Sequence, residues 1–227
     1  MAGGGEVALD GVGPGRRVHF HIMVLRAALL DMDGTIFDSR IDWLSLRVKI
    51  RIPWDGRPIL AQLDDAPSGV RERGLALLHE AEREGAENGD LIPGARELLE
   101  LLHRHSVRCA LISNNSRSSA TTVLERHVLP FDLVLTRDEV PTKPSPDGFH
   151  RALAELDANP AEAIVIGDAH LDLIAAQRAG IDEVILVGTP EWMEEHIPPG
   201  AEYRTAADLT EVRVILERLL WNGDRAG

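Results

Sequence analysis

The chain has 227 residues, room for one α/β core and a small second unit but not for two full unrelated domains. A hydrophobic share of 44% and a charged share of 27% exclude a disordered tail and a membrane protein. With 24 Lys and Arg against 37 Asp and Glu, the net charge of −13 repels polyanions and argues against a nucleic-acid-binding surface.

The first residues are Gly-rich and then carry Arg16, Arg17, His19 and His21, without the long apolar stretch and cleavage site of a secretory signal. Residues 1–22 read as a flexible extension, and Met23 is an alternative starting residue. No apolar run approaches the roughly 20 residues that span a bilayer. The single cysteine, Cys109, cannot form an intramolecular disulfide, which fits a cytoplasmic protein. Within the apolar run Val107 to Ile112 it reads as a buried core thiol.

From Leu25 onward, short apolar runs alternate with amphipathic segments, the pattern of a parallel sheet built by helical crossovers. The first strand spans Leu25 to Asp31. About 60 residues follow Asp33 without a convincing strand, so 38–91 reads as an all-helical insertion in a core made of 23–37 and 92–227. Inside the insertion Ile41 to Arg51 and Gly69 to Gly85 look helical, separated by the Pro- and Gly-punctuated stretch Pro53 to Pro67. Arg47 and Arg51 are four residues apart and share a helical face, expected to be solvated, although the pair can also meet an anionic group. Trp43 and Trp54 are expected to cover the insertion's small core.

Pro93-Gly94 opens the next core helix. Strands are expected at Val107 to Ser113, Leu133 to Thr136, Ala163 to Gly167 and Val184 to Val187. Ser116 to His127 is a helix. Phe149, Ala152, Leu153 and Leu156 mark one helical face at i, i+3, i+4 and i+7. His170 to Ala179 forms another helix, stopped by Gly180. Leu209, Val212, Ile215 and Leu219 stripe the last, near Leu209 to Trp221.

Ligands of an open parallel sheet sit beyond the carboxyl ends of its strands, and four strand ends here carry or lead into polar residues. The first ends in Asp31-Met32-Asp33-Gly34-Thr35 and the second in Ser113-Asn114-Asn115. The third is followed by Lys143-Pro144, and the fourth ends in Gly167-Asp168 with Asp172 four residues on. Lys143 is one of only two lysines in the chain. Each motif alone is ordinary turn or loop chemistry. In this order they resemble the four signature motifs of the haloacid dehalogenase superfamily. Pro93-Gly94-Ala95 and Ala175-Ala176-Gln177-Arg178-Ala179-Gly180 resemble flanking features of its phosphoglycolate phosphatase-like branch. The resemblance runs from Leu25 to about Val187.

It implies a Rossmann-like core with a small helical cap, and a Mg²⁺-dependent phosphatase. Asp31 would be the nucleophile that forms an aspartyl-phosphate, and Asp33 the acid and base for the leaving oxygen and the attacking water. Asp33 is expected to have a raised pKa from neighbouring carboxylates. Ser113 and the Asn114 amide would bind phosphate oxygens while Lys143 offsets charge. Asp31, Asp168, the Asp33 carbonyl and, in or just outside the first layer of ligands, Asp172 would hold Mg²⁺. Gly34 permits a tight turn and Thr35 is expected to bond locally. The implied substrate is a small phosphorylated metabolite, phosphoglycolate or a sugar phosphate, and the implied assembly a monomer or homodimer.

Dehalogenases lack an acid at the position of Asp33, and phosphonoacetaldehyde hydrolases use a cap lysine, for which Lys49 is the candidate. A phosphomutase lacks an obvious cap match, and a non-catalytic binding protein has no need of a nucleophile beside an acid. Ala169 departs from the hydroxyl that relatives often place after Asp168. None of the nine histidines lies in an HExxH arrangement.

Overall fold

The computed structural model describes residues 24–188 and 191–224; the expected N-terminal extension and Met23 lie outside them. The central strand, β1 (Ala27–Leu30), is buried along its whole length, because both its faces are covered. Around it lie β4 (Arg108–Ile112), β5 (Leu133–Leu135), β6 (Ala163–Gly167), β7 (Glu183–Val187) and β8 (Arg204–Ala206). They form one parallel sheet in the order β5-β4-β1-β6-β7-β8. Alternate residues point to opposite faces. Ala28, Leu30, Cys109, Leu111, Ile164 and Ile166 face one side, against α4 (Ala95–Arg104), α5 (Arg117–His127) and α8 (Leu209–Asp224). Ala27, Leu29, Ala110, Ile112 and Val165 face the other, against α6 (Asp147–Glu155) and α7 (His170–Arg178). The result is a three-layer α/β core, as expected. Strand β8 is an addition: its three residues are too short to show a period in the sequence.

Between β1 and α4 the chain leaves the core. The body of this insertion is helical, made of α1 (Trp43–Ile50), α2 (Ile59–Asp64) and α3 (Ser68–Asn88) around a separate core of Leu46, Ile50, Ile59, Leu63 and Leu78. Two features differ from the sequence reading. The stretch between the two expected helices contains α2, whose six residues follow Pro58. The neck is an antiparallel pair, β2 (Phe37–Asp38) with β3 (Asp90–Leu91), which brings the ends of the insertion together. Two-residue strands carry no periodic signal, so only the pairing itself shows them.

Long helix α3 also packs on α5, where Arg126 donates to the carbonyls of Ala86 and Gly89. Ser116 caps α5 through its hydroxyl, which satisfies an otherwise orphaned amide at the helix start.

Leu63 is fully buried in the insertion's own core. Leu63→Ala is expected to cost about 2–5 kcal/mol by chemical denaturation, whereas Val48→Ala, on the exposed face of α1, should stay within about 0.5 kcal/mol.

Candidate active site

The four polar strand ends converge at the carboxyl edge of the sheet. Asp31 continues β1 by one hydrogen bond, from its amide to the Ile166 carbonyl at 2.9 Å. The chain then reverses: the Met32 carbonyl accepts from the amides of Ile36 and Phe37, each at 3.0 Å. Gly34 has a φ of 78° in this turn, and a Cβ there would stand 2.1 Å from Oδ2 of Asp168. Conformation and space both require glycine. The Thr35 hydroxyl, expected to bond within the loop, is instead buried without a hydrogen-bond partner.

Lys143 is the hub of the site. Its ammonium donates to Asp31, to Oδ1 of Asp172 at 2.6 Å and to the Ile112 carbonyl at 2.9 Å, which uses all three of its donors. The Asn114 side chain fixes Lys143 in place. Its Oδ1 accepts from the Lys143 amide at 2.8 Å, and its Nδ2 donates to the Lys143 carbonyl at 3.1 Å. The sequence reading assigns the Asn114 backbone amide to phosphate and leaves its side chain between a functional and a structural role; the reciprocal clamp on Lys143 gives the side chain a structural one. Ser113 is buried, and its Oγ accepts from the Asn115 amide at 3.1 Å.

Electrostatically the cluster is overcrowded. Burial pushes the Asp31 carboxyl up to about 7, against the pull of Lys143. Burial, then the charges of Asp31 and Asp172, push Asp168 well above the usual carboxylate range. Burial alone would depress Lys143, but Asp172 and Asp31 outweigh it and hold the ammonium charged. Carboxylate oxygens of Asp31, Asp168 and Asp172 lie within 4.8 Å of one another. Such a set of hard, mutually repelling oxygens fits a divalent cation. Asp172 gets its position from α7: its Oδ2 accepts from the Ala169 amide at 3.2 Å, and Gly167 leaves the space, since a Cβ there would sit 2.4 Å from Cγ of Asp172. A second trio, His103, Cys109 and Asp132, is also close, but burial pushes the thiol up to about 12 and Asp132 already accepts from the Cys109 amide at 2.7 Å.

Asp33 stands apart from Lys143's bonds. Asn115 donates to its Oδ2, while its Oδ1 is buried without a partner. Burial raises its carboxyl to about 6, opposed by the neighbouring Ser39 hydroxyl and Asn115 amide. The largest cause is therefore desolvation, where the sequence reading named neighbouring carboxylates. Ser39 and Asn115 were not singled out; Asn115 adjoins Ser113-Asn114, but Ser39 meets Asp33 only through the fold.

A cavity of about 610 Å³ opens over these groups and is roofed by the insertion. Two polar contacts flank it. Glu82 of α3, buried, forms a two-pronged ion pair with Arg137 after β5, with Nη2 to Oε2 at 2.8 Å, and Arg137 also donates to the Asn114 carbonyl at 3.0 Å. Opposite, the His170 ring meets the Gly56 carbonyl at 3.0 Å. Arg47, expected on a solvated face, is instead buried: it donates to Gln62 and to the carbonyls of Pro53 and Arg57, and its guanidinium lies 4.8 Å from the Trp54 ring centre. Arg51 ends α1 in a left-handed conformation, so the two arginines do not share a helical face. Lys49 is exposed and does not line the cavity.

Two outcomes follow from the charge balance. Because the folded Asp31 carboxyl is raised above its unfolded value of 3.8, its contribution to stability is present in acid and lost as pH rises through about 7. In metal-free buffer, Asp31→Asn should therefore gain melting temperature relative to wild type between about pH 5 and about pH 8. An unchanged or falling difference would contradict the raised pKa. Lys143→Met leaves buried carboxylates unpaired and is expected to cost about 3–5 kcal/mol near neutral pH, less in acid as those carboxylates take up protons.

A family model described as haloacid dehalogenase-like hydrolase matches residues 57–186. The chain is 31% identical over 214 residues to validoxylamine A 7'-phosphate phosphatase of Streptomyces hygroscopicus subsp. limoneus, covering 83% of this chain and 96% of that protein. It is 27% identical over 217 residues to phosphoglycolate phosphatase of Pseudomonas fluorescens, covering 84% of this chain and 78% of that one. Among solved structures, a hydrolase from Pseudomonas syringae superposes with a TM-score of 0.70 at 23% identity, over 85% of this chain and 98% of the other, a likeness of fold. Family model, curated relatives and core architecture agree: the chain belongs to the haloacid dehalogenase-like hydrolases.

Proposed function

We propose that this chain is a phosphatase that hydrolyses a small phosphorylated metabolite through an aspartyl-phosphate on Asp31. The observation that carries this reading is the pairing of two differently set carboxyls at one strand end. Asp31 is held by a buried ammonium, and Asp33, two residues on, has a carboxyl raised to about 6 with one oxygen unpartnered. A nucleophile must be ionised and an acid must hold a proton. Both carboxyls are raised, Asp31 to about 7 and Asp33 to about 6, so what separates the roles is position. Asp31 lies with Lys143, Asp168 and Asp172, where a bound cation would favour its ionised form, whereas Asp33 makes no bond to the ammonium.

In the first step an oxygen of Asp31 attacks phosphorus, the ester P–O bond breaks, and Asp33 gives its proton to the departing alkoxide. In the second, Asp33 takes a proton from water, whose oxygen attacks the same phosphorus and breaks the bond to Asp31, releasing inorganic phosphate. The Ser113 hydroxyl and the Asn114 amide donate to the phosphoryl oxygens, and Lys143 offsets the charge gathered there. Asp31, Asp168 and the Asp33 carbonyl would hold Mg²⁺, with Asp172 beside them. When bound, the ion supplies positive charge that lets carboxylates and phosphate approach.

The names of the relatives support a phosphate-ester substrate: one is a validoxylamine A 7'-phosphate phosphatase and one a phosphoglycolate phosphatase. A roofed cavity favours a small ester over a phosphoprotein or nucleic acid, whose bulk would hold the roof open. The exposed position of Lys49 speaks against a phosphonatase, which needs a lysine in the site.

Asp31→Asn is expected to abolish hydrolysis of p-nitrophenyl phosphate while the protein stays folded; near-normal turnover would sink the assignment. EDTA should remove wild-type activity, Mg²⁺ should restore it and Ca²⁺ should not, because its looser coordination misplaces the nucleophile. Full activity in thorough chelation would contradict the metal.

A further inference from the structure

Resting on the phosphatase reading, we propose that Trp54 is a stacking platform for the alcohol half of the substrate. The natural substrates are then phosphate esters whose alcohol carries a ring with an apolar face, and not two- or three-carbon acids.

The cavity has two unlike ends. Its polar end is the carboxylate and lysine cluster, which sees only the transferred phosphoryl group. Its other walls come largely from the insertion and are mostly apolar, with Trp43, Leu44, Trp54, Ile59 and Leu78 among them, although Arg47, Arg57, Asp42 and Glu82 also reach the lining. A volume of about 610 Å³ lies inside the roughly 300–1,000 Å³ of pockets that enclose drug-sized molecules. A two-carbon acid phosphate would leave most of that space to water against apolar walls.

Trp54 is the distinctive wall. Trp43 packs against the insertion's own core, but Trp54 does not belong to that core, and 43% of its surface is exposed. An exposed indole on a loop would ordinarily be mobile surface, yet this loop is pinned at every side. Arg47 donates to the carbonyls of Pro53 and Arg57, which bracket Trp54 in sequence. Gln62 donates to the Pro53 carbonyl at 3.0 Å and to Asp55 at 2.7 Å. Gly56 is tied to His170 of the core, the guanidinium of Arg47 lies against the Trp54 ring, and the His196 ring meets it edge-on at 5.9 Å and 74°. Buried polar groups thus hold an aromatic surface in a fixed attitude on the wall of the reaction cavity. A rigid aromatic surface is the feature that selects ligands by ring stacking, since little conformational freedom is lost on contact.

The test compares Mg²⁺-loaded wild type, Trp54→Ala and Trp54→Phe on two ester sets, cyclohexyl phosphate and glucose 6-phosphate against phosphoglycolate and glycerol 3-phosphate. Wild type should favour the ring esters in kcat/KM by about tenfold or more, and Trp54→Ala should bring that ratio to within about twofold of one, chiefly through KM, with Trp54→Phe between them. In an Asp31→Asn background, calorimetry should show weaker binding of cyclohexyl phosphate when Trp54 is also replaced by Ala. A wild type that hydrolyses the acyclic esters as well as the ring esters would overturn this proposal and leave the phosphatase reading standing. So would equal losses on both sets in Trp54→Ala. Hydrolysis of no ester in either set would overturn both.

Discussion

One buried ammonium sets the geometry of this protein's site. Lys143 reaches from the loop after β5 to bond the carboxylate ending β1, a carbonyl ending β4 and a carboxylate on α7. Three separate elements therefore share one cation, and each of its N–H bonds is spoken for. Burying a lone lysine is expensive, and two carboxylates without it would repel. Each charge is tolerable only because the others are present. The supporting details serve this arrangement: Asn114 grips the lysine backbone from both sides, and glycine at 34 and 167 leaves room for Asp168 and Asp172.

The arrangement still carries more negative charge than one ammonium can balance. Asp31 and Asp168 are both pushed toward protonation. A fold selected only for stability would exchange such a cluster for apolar packing. Its place at the mouth of the sheet, below a cavity, fits the proposed divalent cation and phosphate ester together.

Much of this was legible in the sequence because strands of a parallel sheet announce themselves as short apolar runs, and their last residues face one edge. Asp31, Asp33, Ser113 and Asp168 each stand at or just beyond such a run, and Lys143 lies in the loop that follows one. What escaped was long-range or very short. Strands β2, β3 and β8 have two or three residues each, too few for a period. Arg47 looked like surface charge on an amphipathic helix; its burial depends on the loop of Pro53 and Arg57 folding back over it. The pairing of Glu82 with Arg137 joins segments 55 residues apart, and the Ser39 contact with Asp33 depends on the chain reversal after β1, so no periodic pattern encodes either.

The Glu82 and Arg137 pair ties the roof to the floor, because Arg137 also holds the Asn114 carbonyl in the loop that carries the Asn114 amide. Any swing of α3 away from the core must part these two ions at the cavity wall, where water enters as they separate. Hydration then offsets much of the lost attraction, so this ion pair by itself adds little to the cost of such a swing, most of which falls on the packing of α3 against α5. The same swing removes one of Arg137's two anchors. Admission of a ligand and the stiffness of the loop beneath it are thereby mechanically geared to each other through a single guanidinium.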